Sequence, residues 1–240
     1  MRSPHGLPLV ESCQTCPLRK SPFACNFSPE LRREFDSVSH SAAYPEGAII
    51  TIEGQSATGL FILCSGQVKL TNTSKEGRSV ILRIAQSGEF VGLGSILSGR
   101  PHGANAETLT PALTRFVSKQ DFMRLMQKYP ELGIEAAHSL SVEYAAACRV
   151  VRAMALAPSS ASRLASLLVS WCPQQSSKRL NAEEIKFKSA FTHEEIAAMI
   201  GTTRETVTRV FGDFRRKGIL NVNGATLVVR DLQALESMAV

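Results

Sequence analysis

The 240-residue sequence predicts an α+β chain: an amino-terminal antiparallel β-roll, a long helix, and a carboxy-terminal winged helix-turn-helix. Three observations lead there. Short β-branched runs recur between glycines from Tyr44 to Val117, and a helical stripe with alternating three- and four-residue spacing follows from Leu132 to Leu156. The segment THEEIAAMIGTTRETVTRVF, Thr192 to Phe211, then reads as two short amphipathic helices hinged at Gly201.

The β-rich runs are GAIITIEG, GLFILCSGQVKLTN, RSVILRIAQSGEFVGLGS and ALTRFVS, punctuated by glycines at 47, 54, 59, 66, 77, 88, 92 and 94. Turn signals at such regular intervals predict an antiparallel sandwich or barrel. Lys119 to Tyr129 reads as a short helix and Leu132 to Leu156 as a long one. In the long helix Ala137, Leu140, Tyr144, Ala147, Val151 and Met154 have the spacing of a coiled-coil seam. That stripe either packs on its own β-domain or pairs two copies, and a following helix-turn-helix favours a homodimer, because such domains read paired half-sites. Pro158, Ser159 and Ser160 mark a break and a new helix cap, and PQQSSKRLNAEE reads as a loop. The expected divisions are a cysteine-bearing segment over 1–30, a β-roll over 31–130, a dimerisation helix over 131–157 and a winged helix-turn-helix over 158–240.

In the helix-turn-helix, Ala197 lets the second helix cross close above the first, and Gly201 suits the positive φ of a tight turn. The second helix should bury Val207, Val210, Phe211 and Phe214 and project Arg204, Glu205, Thr208 and Arg209. An Arg fork meets guanine O6 and N7, a carboxylate accepts from the cytosine amino group, and a threonine offers a methyl or a hydroxyl. Double-stranded DNA is therefore the expected partner, with Thr203 and Thr192 at the helix starts as further candidate contacts. The same residues have local roles: Thr202 with Glu205 and Thr192 with Glu195 fit capping boxes, and Glu205 with Arg209 fits an i,i+4 ion pair. Arg215, Arg216 and Lys217 suit a helix C-terminus or a phosphate. Beyond Gly218, two β-branched runs flank Asn223-Gly224, a hairpin signal that supplies the wing.

A formal charge of +6 suits a polyanionic partner. No run of eighteen apolar residues and no secretion signal is present, so a cytoplasmic protein without a membrane span is expected. Six cysteines in that setting argue against a disulfide framework. Cys13, Cys16 and Cys25 form C-x2-C-x8-C, a spacing that lets thiolates share a soft metal centre. An iron–sulfur cluster, a zinc site and redox-switching thiols all fit this pattern. Cys64 stands as a possible fourth ligand, with an ordinary strand cysteine as its alternative; Cys148 and Cys172 read as packing residues. No Ser-His-Asp, Walker or zincin motif appears, which argues against an enzyme.

Taken together, RETVTR at 204 to 209, the SGQVKL and SGEFVGLGS turns and the long helix resemble the cyclic-AMP receptor and fumarate-nitrate-reduction regulator (CRP/FNR) superfamily, over residues 13 to 232. The resemblance implies a cyclic-nucleotide-binding-like jelly roll that senses a signal and a homodimer on a palindromic TGTGA-like promoter site read by Arg204, Glu205 and Arg209. RNA polymerase is then a further partner. Thr208 stands where the oxygen-sensing branch often has serine. That branch carries an amino-terminal cysteine cluster with a [4Fe–4S] centre, which makes oxygen, NO or redox state the expected signal and Cys13, Cys16 and Cys25 the expected ligands. Where that branch has its fourth cysteine, ALTRFVS has Thr114 or Arg115. Nucleotide-binding members have a glutamate for the ribose and an Arg-Ser pair for the cyclic phosphate; Leu93, Gly103 and Ala104 take those places, so cyclic AMP is not expected. Control by another small ligand in the roll, by thiols without a metal, or a sensor that does not touch DNA are the alternative readings.

Overall fold

The computed structural model describes residues 7, 12–16, 27–77, 79–172, 185–188, 191–224 and 226–239. The chain forms two compact units, Met1–Ala146 and Ala147–Val240.

The first unit opens with α1 (Pro29–Val38), capped by Ser28, whose hydroxyl accepts the Leu31 N–H. Pro29 at the first position costs no hydrogen bond there. Strands β1 (Ser39–Tyr44), β2 (Ile49–Thr51), β3 (Gly59–Ser65), β4 (Val68–Thr73), β5 (Ser79–Ala85) and β6 (Phe90–Val91) follow, then the short α2 (Leu93–Ser98), β7 (Asn105–Thr108) and β8 (Ala112–Ser118). They make two four-stranded antiparallel sheets, β1-β8-β3-β6 and β2-β7-β4-β5. The expected antiparallel roll is what forms. Helix α3 (Lys119–Lys128) and the first part of α4 (Pro130–Leu156) close the series, and α4 continues past Ala146 into the second unit.

Leu31 and Phe35 of α1 join Leu60, Ile62, Phe90, Leu93, Phe122, Leu125, Leu132 and Ala136 in one core, and a smaller one gathers Leu63, Val68, Ala85, Val91, Ala106 and Ala112. α4 lays Leu132, Ala136 and Ser139 on the roll. Arg83 of β5 pins it further, donating to the Glu143 carboxylate at 2.5 Å and the Phe90 carbonyl at 3.0 Å while pairing with Glu89.

In the second unit, α5 (Ser160–Trp171) begins at Ser159, whose hydroxyl accepts the Ser162 N–H, so Pro158 is followed by the expected break and cap. Strand β9 (Ile185–Lys188), helices α6 (His193–Ile200) and α7 (Arg204–Arg216), strands β10 (Leu220–Asn223) and β11 (Thr226–Val229), and α8 (Leu232–Met238) complete it. The wing is a three-stranded sheet, β10-β11-β9. Leu164, Ala165, Leu168, Ile196, Ala197, Val207, Val210, Phe211, Phe214, Leu227 and Leu235 share its core with Cys172, whose Sγ lies 3.4 Å from the Leu168 carbonyl.

The hairpin centre falls one residue later than Asn223-Gly224. Asn223 pairs with Thr226, so Gly224 is the first turn residue, at φ 59°, and Asn223 stays in the strand. The loop expected over 173–184 lies outside the described residues.

Candidate functional site

Helix α7 carries the site. Thr203 caps it by accepting the Thr206 N–H, which places Arg204 at the first helical position and Glu205 in the first turn. Thr202, the expected capping residue, instead meets the Ser160 hydroxyl of α5 at 3.3 Å. Val207, Val210, Phe211 and Phe214 are buried, and Arg204, Glu205, Thr208 and Arg209 are exposed on the opposite side, as the helical period predicts.

The turn before α7 is made by Gly201, at φ 62° and ψ 51°, with the Thr202 N–H closing on the Ala197 carbonyl at 3.0 Å. A side chain there would be strained by the left-handed backbone alone. Helix α6 starts in a full capping box: Thr192 accepts the Glu195 N–H while Glu195 accepts the Thr192 N–H at 2.9 Å. Arg163 of α5 donates to the Ile200 carbonyl at 2.7 Å, which ties the end of α6 to the domain.

The Glu205 carboxyl is held below its ordinary range by its own backbone N–H, then by the Thr203 hydroxyl and the neighbouring Arg204. It is thus ionised at neutral pH and ready to accept from a base amino group. Arg209 differs from expectation: its ion pair is with Asp213 at 4.0 Å, one turn later, and not with Glu205. At that length, with the arginine side chain 69% exposed, the pairing leaves the guanidinium fork available. One contact on this surface was not foreseen. His193, at the start of α6, stacks on Phe211 with centroids 5.1 Å apart and meets the Thr208 hydroxyl through Nδ1 at 2.8 Å.

On α4 the seam candidates divide. Ala137, Tyr144, Ala147 and Val151 are exposed, Tyr144 to 73%. Leu140 is half-buried and packs on the core of the first unit. Met154 is exposed on one side, and its methyl approaches the site a Cβ on Gly201 would fill to 3.1 Å.

Among the described residues of the cysteine segment, Ser12 and Cys13 meet the carboxylate of Asp36. Asp36 of α1 accepts the Ser12 hydroxyl at 2.6 Å and the Cys13 N–H at 2.9 Å, and pairs with Arg115 of β8, which also donates to the Ser39 hydroxyl at 2.7 Å. Arg115, which with Thr114 is one of the two candidates for the place of the oxygen-sensing branch's fourth cysteine, is thus buried and engaged. Cys13 and Cys16 are half-buried, and Cys25 lies outside the described residues. Cys64, on β3, has its Sγ 3.9 Å from the Ile62 carbonyl of its own strand. Among the described residues no three Cys, His, Asp or Glu side chains group closely enough to hold a metal. Of the three expected ligands, Cys13 and Cys16 supply two thiolates, half of what a four-iron cluster takes.

Leu93, expected in place of the ribose-binding glutamate, is fully buried in one core with Phe90 and Ile96. Gly103 offers its carbonyl to Asn72 at 2.9 Å, and Arg100 is exposed. None of the described helices is long and apolar enough to cross a membrane.

Comparison with known proteins matches both halves. Residues 42–129 match the family of cyclic nucleotide-binding domains, and residues 162–238 the family of Crp-like helix-turn-helix domains. The chain is 25% identical over 222 residues to a cyclic AMP receptor protein of Thermus thermophilus, covering 92% of this chain and 98% of that one. It is 23% identical over 225 residues to an anaerobic regulatory protein of Haemophilus influenzae, covering 93% and 86% respectively. The fold matches the c-di-GMP responsive global regulator CLP of Xanthomonas campestris, with TM-score 0.73 at 20% identity over 85% of this chain and 99% of that one. With a β-roll of the first family joined through a long helix to a helix-turn-helix of the second, the chain belongs to the CRP/FNR superfamily and is a DNA-binding transcription regulator, not an enzyme.

Proposed function

We propose that the protein acts in the cytoplasm as a homodimer on a palindromic TGTGA-like site, where Arg204, Glu205, Thr208 and Arg209 of α7 read base edges. The exposed four-residue face of a helix whose opposite face is locked into the core carries this reading. Thr203 and Thr192, at the starts of α7 and α6, sit where backbone phosphates meet helix N-termini. Ala137, Tyr144, Ala147 and Val151 form the dimer seam, extended by Met154 and backed by the inward Leu140. Promoter-bound protein then meets RNA polymerase. Enrichment of a randomised duplex pool by the full-length protein tests this: an inverted repeat is expected, and no enriched sequence would reject it.

The signal we propose is oxygen, NO or redox state, sensed by Cys13, Cys16 and Cys25. Soft thiolates at this spacing suit a [4Fe–4S] cluster, which when bound supplies reactivity toward oxygen and NO. The chain's own part is to hold Cys13 in place through Asp36. A second reading, thiol redox without a metal, is favoured because the place of the fourth thiolate is Thr114 or Arg115, neither of which is a thiol, and Arg115 is engaged by Asp36. Iron and sulfide assay after purification without air separates them: both elements support the cluster, and iron-free protein whose DNA affinity follows a thiol reductant supports the second reading.

A further inference from the structure

The hydroxyl of Thr208 is already spoken for inside the protein. It donates to the Arg204 carbonyl one turn back at 3.0 Å and lies 2.8 Å from His193 Nδ1. A hydroxyl has one proton, so with that proton on the Arg204 carbonyl it accepts from the imidazole, and Nδ1 carries the hydrogen. Two constraints hold that imidazole. Its plane lies 5° from that of Phe211, and Phe211 is buried in the domain core. The hydrogen bond to Thr208 then sets the rotation of the ring within that stack.

For Thr208 the consequence is a fixed χ1. The oxygen is drawn to α6 and to the backbone of α7, and of its substituents only the methyl is left without an internal role on an exposed side chain. A hydroxyl in this state has no proton to give a base acceptor. A methyl has only a van der Waals surface to offer, and in the major groove its natural counterpart is the C5-methyl of thymine. Free threonine would choose between hydroxyl and methyl; this threonine is committed.

We propose that His193 is a specificity-determining positioning residue: by holding the Thr208 oxygen it makes Thr208 read a thymine methyl in each half-site, in preference to a base acceptor. The inference rests on α7 being the groove-reading helix. His193 is distinct from the four outward residues of α7, and it reaches them from the preceding helix, 15 residues away in sequence.

The test uses the full-length protein and the duplex it enriches from a randomised pool, resynthesised with deoxyuridine in place of each thymine in turn. Loss of one methyl contact at a thymine read by Thr208 should weaken binding about 4-fold, the factor for one buried methyl-sized group. Thr208→Ser should abolish that penalty and Thr208→Val should keep it. His193→Phe retains a ring to stack on Phe211 but has no N–H, and it should reduce the penalty at that thymine toward 1-fold while the guanine preferences of Arg204 and Arg209 persist. In the Thr208→Val background His193→Phe should have no further effect on it.

A purely structural role for His193 would lower affinity evenly at every position, and that result overturns the proposal. So does a deoxyuridine penalty that survives His193→Phe unchanged in the Thr208 background, or one that is absent from the wild type. Failure to enrich any sequence would remove the DNA reading itself and this inference with it; enrichment without thymine-methyl dependence removes this inference alone.

Discussion

Asp36 and Arg115 form an ion pair across 79 residues, between the first helix and the last strand of the roll, and the same carboxylate holds the Cys13 N–H. Arg115 is 3% exposed. Removing the carboxylate leaves the buried guanidinium charge without its counter-ion, so Asp36→Ala should destabilise the first unit by about 3–5 kcal/mol. Arg115→Met, which removes the buried cation, should cost less than Asp36→Ala. Urea unfolding of the three proteins checks this; equal midpoints for wild type and Asp36→Ala would contradict it.

The pair also sets a pH dependence. Burial pushes the Asp36 carboxyl up, but the Ser12 hydroxyl, the Cys13 N–H and the Arg115 guanidinium outweigh it and hold the group below its ordinary value. A lowered carboxyl contributes stability that is fully present above the unfolded value of about 3.9 and is lost as pH falls through the depressed folded value. The stability difference between wild type and Asp36→Asn should therefore be constant from neutral pH to about 5 and shrink in stronger acid. A difference that grows on acidification would show the sign to be wrong.

Arg209→Ala should lose about 1–3 kcal/mol of binding to the selected duplex and relax preference at one base pair. Lys217→Ala, at the exposed C-cap of α7, should weaken selected and unrelated duplexes alike and lower the salt slope by about 1. Fluorescence anisotropy at several salt concentrations distinguishes the two patterns.

Val151, 64% exposed on α4, should tolerate a charge in the monomer and not in the dimer. Val151→Glu is expected to shift sedimentation toward the monomer with the unfolding midpoint of the first unit unchanged. Leu140→Ala should lower that midpoint, because Leu140 packs on the roll core.

Gly201→Ala tests the helix-turn-helix hinge. The left-handed backbone at φ 62° costs an alanine about 1–2 kcal/mol. The methyl of Met154 that it would meet at 3.1 Å is the end of a flexible side chain and can move. Thermal unfolding of the second unit should fall by that amount and no more.

The parts legible in the sequence are those whose signal is local. Helix α7 announces itself through a 3.6-residue apolar period, α3 and α4 through theirs, and the hinge through one glycine. Less was legible where a segment has little signal of its own. Helix α1 is short, and its local signals, the Ser28-Pro29 start and Leu31 and Phe35 four residues apart, lie just ahead of the β-rich runs; SHSAAY becomes β1 where β8 pairs with it. Strand β9 is likewise a product of its partner β11. The expected Glu205–Arg209 pair gave way to Asp213 because both partners of Arg209 lie one turn from it and rotamers choose between them.

From residue order alone came the class of the fold, the exposed face of α7 and the family, since periodicity and turn chemistry act over a few neighbours. Tertiary structure alone decided which strand pairs with which, that Arg115 is bound by Asp36, that Leu140 turns inward, and that His193 takes hold of Thr208. Those contacts join residues far apart in the chain, and they exist only once the cores have brought their helices and strands into register.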